Sequence, residues 1–375
     1  MAAVATALIV GGGIVGLVTA RALALRGIAV TLLERKDSIA DEGGIGLGLQ
    51  SNAMDALGEI GLAARCLEKG VPVEALHYYT AGGQLAATKC TQRHAGSSWP
   101  GFTGMSRAAL HQILINGARE AGATLVTGAE VCAIDEADGE AVVHLADGRS
   151  FAADLVVGAD GIRSTMRGLL FPDQPGPVRT GEAVWRGLVP GVRRGDVSFV
   201  FGGGVGTVGY TPLPDDLYLY IVDRDDRPPP RDAPDLAVRM AALIGDIPGF
   251  PAELAPRLSQ RPGDITYRNL EAVQVPPPWY RGRVILIGDA AHAGPPTLAQ
   301  GAAMGIEDGV VLAHCLIASN ALDEALDIFM RRRYARVRTI LEASVTISRA
   351  QMEPDGRPKM IAAEQEATAM LAQPY

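Results

Sequence analysis

The chain opens on a short apolar run, Ala5 to Val10, that ends in three consecutive glycines. Residues Ile14 to Arg26 then have helical composition, and after Gly27 a second apolar run covers Ile28 to Leu33. Short apolar runs bounded by glycine predict buried strands, so this stretch predicts a strand, a helix and a strand. The same strand signal returns at Leu155 to Val157 and at Val284 to Ile287, which predicts parallel strands of one sheet. From about Gly181 to Arg268 the pattern changes to alternating runs, such as Val205 to Thr211 and Leu217 to Val222, joined by a Pro/Asp turn. Alternation of this kind predicts a second, mostly antiparallel sheet. Asp225 to Pro234, dense in proline and charge, predicts an exposed loop. Beyond Gly301, the segments Ala302 to Ser319 and Leu322 to Ala350 have helical spacing and few breakers, which predicts two long helices packed beside the first domain.

Composition narrows the function classes. With 375 residues, 48% of them hydrophobic and 20% charged, a sizeable globular core is expected. The net charge of -8 is spread along the chain with no basic stripe, which argues against nucleic acid as a partner. The four cysteines, Cys66, Cys90, Cys132 and Cys315, lie far apart without a CxxC pair, so neither a zinc site nor a disulfide framework is expected. The six histidines show no HxxxH or HxH spacing, and no metal site is predicted. No apolar run reaches the ~20 residues that span a bilayer. The apolar start lacks a basic flank and runs into a glycine turn, so it reads as a strand rather than a leader. A cytoplasmic protein with no membrane partner is expected.

The strongest local signal is GGGIVG, Gly11 to Gly16, placed between the first predicted strand and helix. Gly11 allows a tight turn, Gly13 lets a pyrophosphate approach the backbone, and Gly16 lets helix and strand pack closely. The helix N-terminus favours the phosphate charge. Glu34, followed by Arg35, ends the second strand, where a carboxylate can accept hydrogen bonds from both ribose hydroxyls of a dinucleotide. This motif alone does not distinguish FAD from NAD.

Two further segments carry a family resemblance. DLVVGADGIRSTMR, Asp154 to Arg167, resembles the Asp-Gly fingerprint of FAD-dependent aromatic hydroxylases, with Asp160, Gly161, Ser164 and Arg167 in place. GDAAHAGPPTLAQGAAMGIED, Gly288 to Asp308, resembles the Gly-Asp motif of the same enzymes. With the N-terminal motif, the sequence resembles the para-hydroxybenzoate hydroxylase-like family, the group A flavoprotein monooxygenases, over nearly the whole chain. The resemblance implies an α/β fold: a Rossmann-like FAD-binding domain of the glutathione-reductase type, a mostly antiparallel β-sheet substrate domain and C-terminal helices. The expected division is residues 1–75, 100–180 and 270–350 for the FAD-binding domain, 76–99 and 181–269 for the substrate domain, and 351–375 as a C-terminal segment.

The resemblance also implies residue roles. Asp289 is placed to hold the flavin ribityl chain, and Pro296, Gly301 and Ala302 form the turn and helix start near the flavin ring. Arg107 resembles the arginine that reaches the cofactor, and Gln50 and Asn52 fall in a flavin-side loop with Gly48, which is an expected substrate contact. His292 reads as a packed, hydrogen-bonded histidine. The run Arg331 to Arg333, with Arg336 and Arg338, reads as a solvated helix face. The implied reaction is a monooxygenation: NADH or NADPH reduces FAD, oxygen adds at flavin C4a, and the hydroperoxide gives one oxygen atom to a small aromatic or heteroaromatic ring.

The substrate is expected between the flavin and the inner face of the second sheet. Strand alternation puts Val208 and Tyr210 on one face, and Tyr210 is the expected catalytic contact; Tyr218 and Tyr220 share a face of the next strand. Baeyer-Villiger oxygenation and epoxidation are the alternatives on the same scaffold, with a non-catalytic FAD-binding redox protein as a different class. Halogenation is disfavoured, because Gly187 in WRGLVP stands where that motif has its second tryptophan.

Overall fold

Thr6–Val10 is a central strand of a six-stranded sheet, because both of its faces are apolar and both are covered. Ala29–Leu33 and Leu155–Gly158 flank it in parallel, and Thr124–Val126 and Val284–Leu286 extend the sheet in parallel on either side. The parallel arrangement expected from the separated apolar runs is therefore observed. The computed structural model describes residues 3–39, 45–94, 96–137, 139–202, 205–224, 235–260, 262–353 and 355–375. The proline-rich stretch 225–234, expected as an exposed loop, lies outside the described residues, as does Gly204.

The turn into helix Ile14–Ala24 needs its glycines. Gly11 has φ +114°, and a Cβ there would lie 2.5 Å from the Ala159 carbonyl oxygen. A Cβ on Gly16 would lie 1.9 Å from the Gly11 carbonyl oxygen. Helix Gly301–Ala318 packs on Ile14–Ala24. It has the length and apolarity of a membrane span, but 72% of it is buried inside the protein, which is what a helix apolar on all sides achieves within a large core. Leu322–Ala350 and a further helix, Arg357–Leu371, pack in succession outside it.

The second large sheet has eight strands and is antiparallel except where Val197–Gly202 runs beside Ala75–Thr80. Its middle is Val178–Pro190, Asp216–Arg224 and Val205–Pro212. It extends past residue 269 through Thr266–Gln274 and the short strand His292–Ala293. Its back face is sealed by helices Leu236–Gly245 and Phe250–Leu258, whose Met240, Ile244, Leu254 and Leu258 pack with Trp185, Val189, Leu219 and Ile221. Its front face meets a small sheet of Gly46–Gln50, Phe102–Ser106 and Val71–Val73.

Candidate functional site

The glycine turn, the Asp-Gly segment and the Gly-Asp segment converge because their strands are neighbours in the parallel sheet. Strand Thr6–Val10 feeds Gly11 to Gly13, Leu155–Gly158 feeds Asp160, and Val284–Leu286 feeds Asp289. Arg167 fastens two of these loops together, donating to the carbonyls of Ile162 at 2.7 Å and Ala290 at 3.0 Å. Ser164 caps the intervening helix by accepting from the Arg167 N–H at 2.8 Å.

Several groups at this meeting point are left for a ligand. The helices starting at Ile14 and Gly301 have no side-chain cap, so their first N–H groups are unclaimed by side chains. Gly13 and Gly301 are exposed, and a Cβ on either meets nothing within 4 Å. Glu34 accepts from the Gly12 N–H at 2.8 Å and from the Lys36 N–H at 3.0 Å, which fixes its carboxylate at the end of the second strand. Arg35 is exposed beside it. Asp160 uses one oxygen to accept from the Met166 N–H at 3.0 Å; its other oxygen, Oδ1, is buried without a hydrogen-bond partner among the described residues.

Asp289 is exposed to the cleft, yet protein surrounds it closely enough that loss of solvation raises its pKa, against the opposing pull of His292 and Arg107. A negative group with hydrogen-bonding capacity to spare, beside open glycine backbone and two helix N-termini, suits the sugar and phosphate groups of a dinucleotide. Pro296, also exposed, leads into a turn in which Ala299 adopts φ 52°. That left-handed conformation costs an L-residue roughly 1–2 kcal/mol. The turn is held by its neighbours: Gln50 donates to the Leu298 carbonyl at 2.6 Å and accepts from Gln300 at 2.6 Å, and Asn52 donates to Gln300 at 3.0 Å. Ala302 follows in the first turn of the helix, half-buried.

Behind the cleft lies a buried ionic network. Asp308 accepts from the Gly288 N–H at 3.0 Å, from His292 at 2.6 Å and from Arg333 at 2.7 Å. Glu307 accepts from Arg333 at 2.6 Å, Arg336 at 2.8 Å and Asn52 at 2.6 Å. Burial alone raises the Asp308 pKa, but His292 and Arg333 outweigh it and hold the group at about 2. His292 is buried and lies against Trp279, with ring centroids 5.0 Å apart, as expected of a packed histidine. In the arginine cluster Arg331, Arg332 and Arg338 are exposed, as expected, and two others are not. Arg333 and Arg336 are 0% and 3% exposed rather than solvated, because the two adjacent carboxylates of an otherwise apolar buried helix need cations.

On the large sheet, strand parity was right and the choice of face was wrong. Val208 and Tyr210 point to the back. Tyr210 is 1% exposed, packs edge-on against Phe250 at 5.0 Å and carries Arg194 over its ring at 5.4 Å. The two back helices claim this face, so Tyr210 and Val208 are core residues rather than ring contacts. Register puts Gly209 opposite Tyr220 and Thr211 opposite Tyr218, and these face the front. Tyr218 lies against Gly46, where a Cβ would come within 2.7 Å of its ring. Tyr220 lies across Gly209, and its ring is 5.5 Å from that of Tyr218. Gly48 is covered by the ring of Phe102, which supplies the side chain at that point.

Tyr78 and Phe199 continue the front face as a stacked pair at 5.3 Å, both half-buried. Arg107 joins the two regions: its charge is felt by Asp289 on one side and by the Tyr218 phenol on the other. Phe102, Tyr78, Phe199 and Arg186 were not anticipated from the sequence. None had a local signal, because which face of Val178–Pro190 meets the back helices, and so where Arg186 points, is decided by the docking of those helices.

A family model described as "FAD binding domain" matches residues 4–200 and 263–344. The chain is 36% identical over 352 residues to a 2-heptyl-3-hydroxy-4(1H)-quinolone synthase of Pseudomonas aeruginosa, covering 92% of this chain and 89% of that protein. It is 31% identical over 350 residues to an aurachin C monooxygenase/isomerase of Stigmatella aurantiaca, covering 91% and 88%. Among solved structures, Klebsiella pneumoniae HpxO complexed with FAD and uric acid shares the fold, with a TM-score of 0.82, 21% identity and coverage of 98% and 97%.

Proposed function

The chain belongs to the FAD-dependent aromatic hydroxylase family, and from that membership we propose that its substrate is a flat, quinolone-type heteroaromatic ring carrying an apolar substituent. The enzyme is a FAD-dependent monooxygenase of aromatic or heteroaromatic substrates that uses NAD(P)H. When bound, the flavin supplies electron transfer from NAD(P)H and activation of dioxygen.

The observation that carries the substrate reading is the aromatic row on the front of the large sheet. Tyr78, Phe199 and Tyr220 lie in one cross-strand row on the front of the sheet, through Gly209, and Tyr218 lies next to Tyr220 with its phenol feeling the charge of Arg107. Offset stacking on such rings favours a fused planar ring at one end and apolar contact for a chain at the other. The quinolone named in the 36% identical relative is a fused planar ring of this class. The cofactor would be held by the turn that Gly11, Gly13 and Gly16 shape, at its phosphates, and by Glu34, at the adenosine ribose. Asp160 Oδ1 and Asp289 would accept hydrogen bonds from sugar and ribityl hydroxyls, and the first N–H groups after Gln300 would stabilise negative charge on the flavin.

The test is a substrate screen of the holoenzyme. 2-Alkyl-4(1H)-quinolones should accelerate NAD(P)H oxidation and yield a product one oxygen atom heavier by mass spectrometry. Acceleration by simple phenols or benzoates with no response to quinolones would contradict the proposed ring class.

A further inference from the structure

We propose that Arg186 is a substrate-positioning residue that grips the exocyclic oxygen of the ring, as carbonyl or oxyanion, with the Tyr218 hydroxyl beside it. The proposal rests on the monooxygenase reading above and adds the polar contact that the aromatic row lacks.

Three observations place Arg186 there. Strand alternation aims it at the front: Trp185 is buried in the back core, and the open side of Gly187 meets Met240 and Leu258 of the back helices. Cross-strand register then puts Arg186 opposite Tyr220, one step from Tyr218. The guanidinium interacts with the Tyr218 phenol, whose burial it partly offsets. Finally, its counter-charge is not supplied by any described residue. Arg186 is half-buried, and among the described residues no carboxylate pairs with it. The other arginines at or behind the site differ. Arg107 faces Asp289, Arg333 and Arg336 share Glu307, and Arg194 pairs with Asp196 at 3.0 Å.

A half-buried guanidinium without a counter-charge is a site for a negative or strongly accepting ligand atom, and its planar fork directs that atom. The chemical class follows. A ring with a carbonyl or ionisable hydroxyl can reach the fork, while its flat face lies on Tyr218 and Tyr220. Fixing that oxygen sets which ring carbon faces the flavin, so Arg186 acts on the site of oxygenation as well as on affinity.

The test compares wild-type, Arg186→Gln and Arg186→Lys holoenzymes with two ligand pairs that differ in the exocyclic oxygen. The pairs are 2-heptyl-4(1H)-quinolone with 2-heptylquinoline, and 3-hydroxypyridine with pyridine. Binding is read from perturbation of the flavin absorbance, and FAD content checks the fold. Arg186→Gln should weaken the oxygen-bearing member of a pair at least tenfold and leave its partner within twofold, with Arg186→Lys in between. If wild type binds neither quinoline-type ligand, the quinolone reading fails and the pyridine pair decides Arg186. Equal losses for both members of each pair, or no oxygen-dependent loss in either pair, would overturn the assignment.

Discussion

Glu182 offers a stability prediction whose size follows from its surroundings. It is 3% exposed on strand Val178–Pro190, and neither carboxylate oxygen has a hydrogen-bond partner among the described residues. Burial pushes its pKa from an ordinary 4.5 up to about 7. Below pH 4.5 the acid is protonated in both folded and unfolded chains, and its ionisation costs nothing. Between 4.5 and 7 the unfolded chain ionises while the folded chain holds its proton, so folding loses stability as pH rises. Above 7 the loss is complete: a pKa difference of 2.5, at about 1.4 kcal/mol per pKa unit, gives about 3 kcal/mol. Glu182→Gln keeps the shape and cannot ionise. Its midpoint in urea unfolding should therefore move above that of wild type as pH rises from 4.5 to 8, with most of the gain gathered by pH 7. The pH-dependent part of the difference is the test, because the amide of glutamine is itself buried. A difference that stays constant across this range would show that Glu182 gains partners or water in the folded protein, and the argument from its burial would fail.

Other expectations follow from the site and the core. Asp289→Ala should weaken FAD binding by roughly 1–3 kcal/mol through lost hydrogen bonds, measured by fluorescence titration of the apoenzyme; unchanged affinity would remove Asp289 from the cofactor site. Tyr210→Phe should leave the ratio of product to NAD(P)H consumed unaltered, because its ring lies in the back core; a rise in hydrogen peroxide would restore it to the substrate side. Arg333→Met strands Asp308 and Glu307 with fewer cations and should cost roughly 3–5 kcal/mol in urea unfolding, whereas a loss below about 1 kcal/mol would mean that the carboxylates take up protons at little cost.

What the sequence made legible depended on whether one residue's role was fixed locally. The parallel strands were readable because apolar runs closed by glycine at Gly11 and Gly158 have few other uses, and the three loops they feed carry recognisable motifs. Tyr210 shows the opposite case. Alternation separates two faces of a strand, but which face meets helices is decided by Leu236–Gly245 and Phe250–Leu258, whose docking no local pattern announces. Arg333 and Arg336 were misread because their partners lie some 25 residues earlier, although the acidic pair Glu307 and Asp308 inside an apolar helix was itself a sign that cations must come from elsewhere. Glu182 gave no signal, since a lone carboxylate in an alternating strand ordinarily faces water.

The central claim is that this chain passes one atom of dioxygen to a ring held beside its flavin. The most direct measurement is mass spectrometry of the product formed by the FAD-loaded enzyme with NAD(P)H, a 2-alkyl-4(1H)-quinolone and isotopically heavy dioxygen. The product should carry one heavy oxygen atom and form in step with NAD(P)H consumption. NAD(P)H oxidation that yields hydrogen peroxide alone with every ring tried, or a product whose added oxygen comes from water, would contradict it.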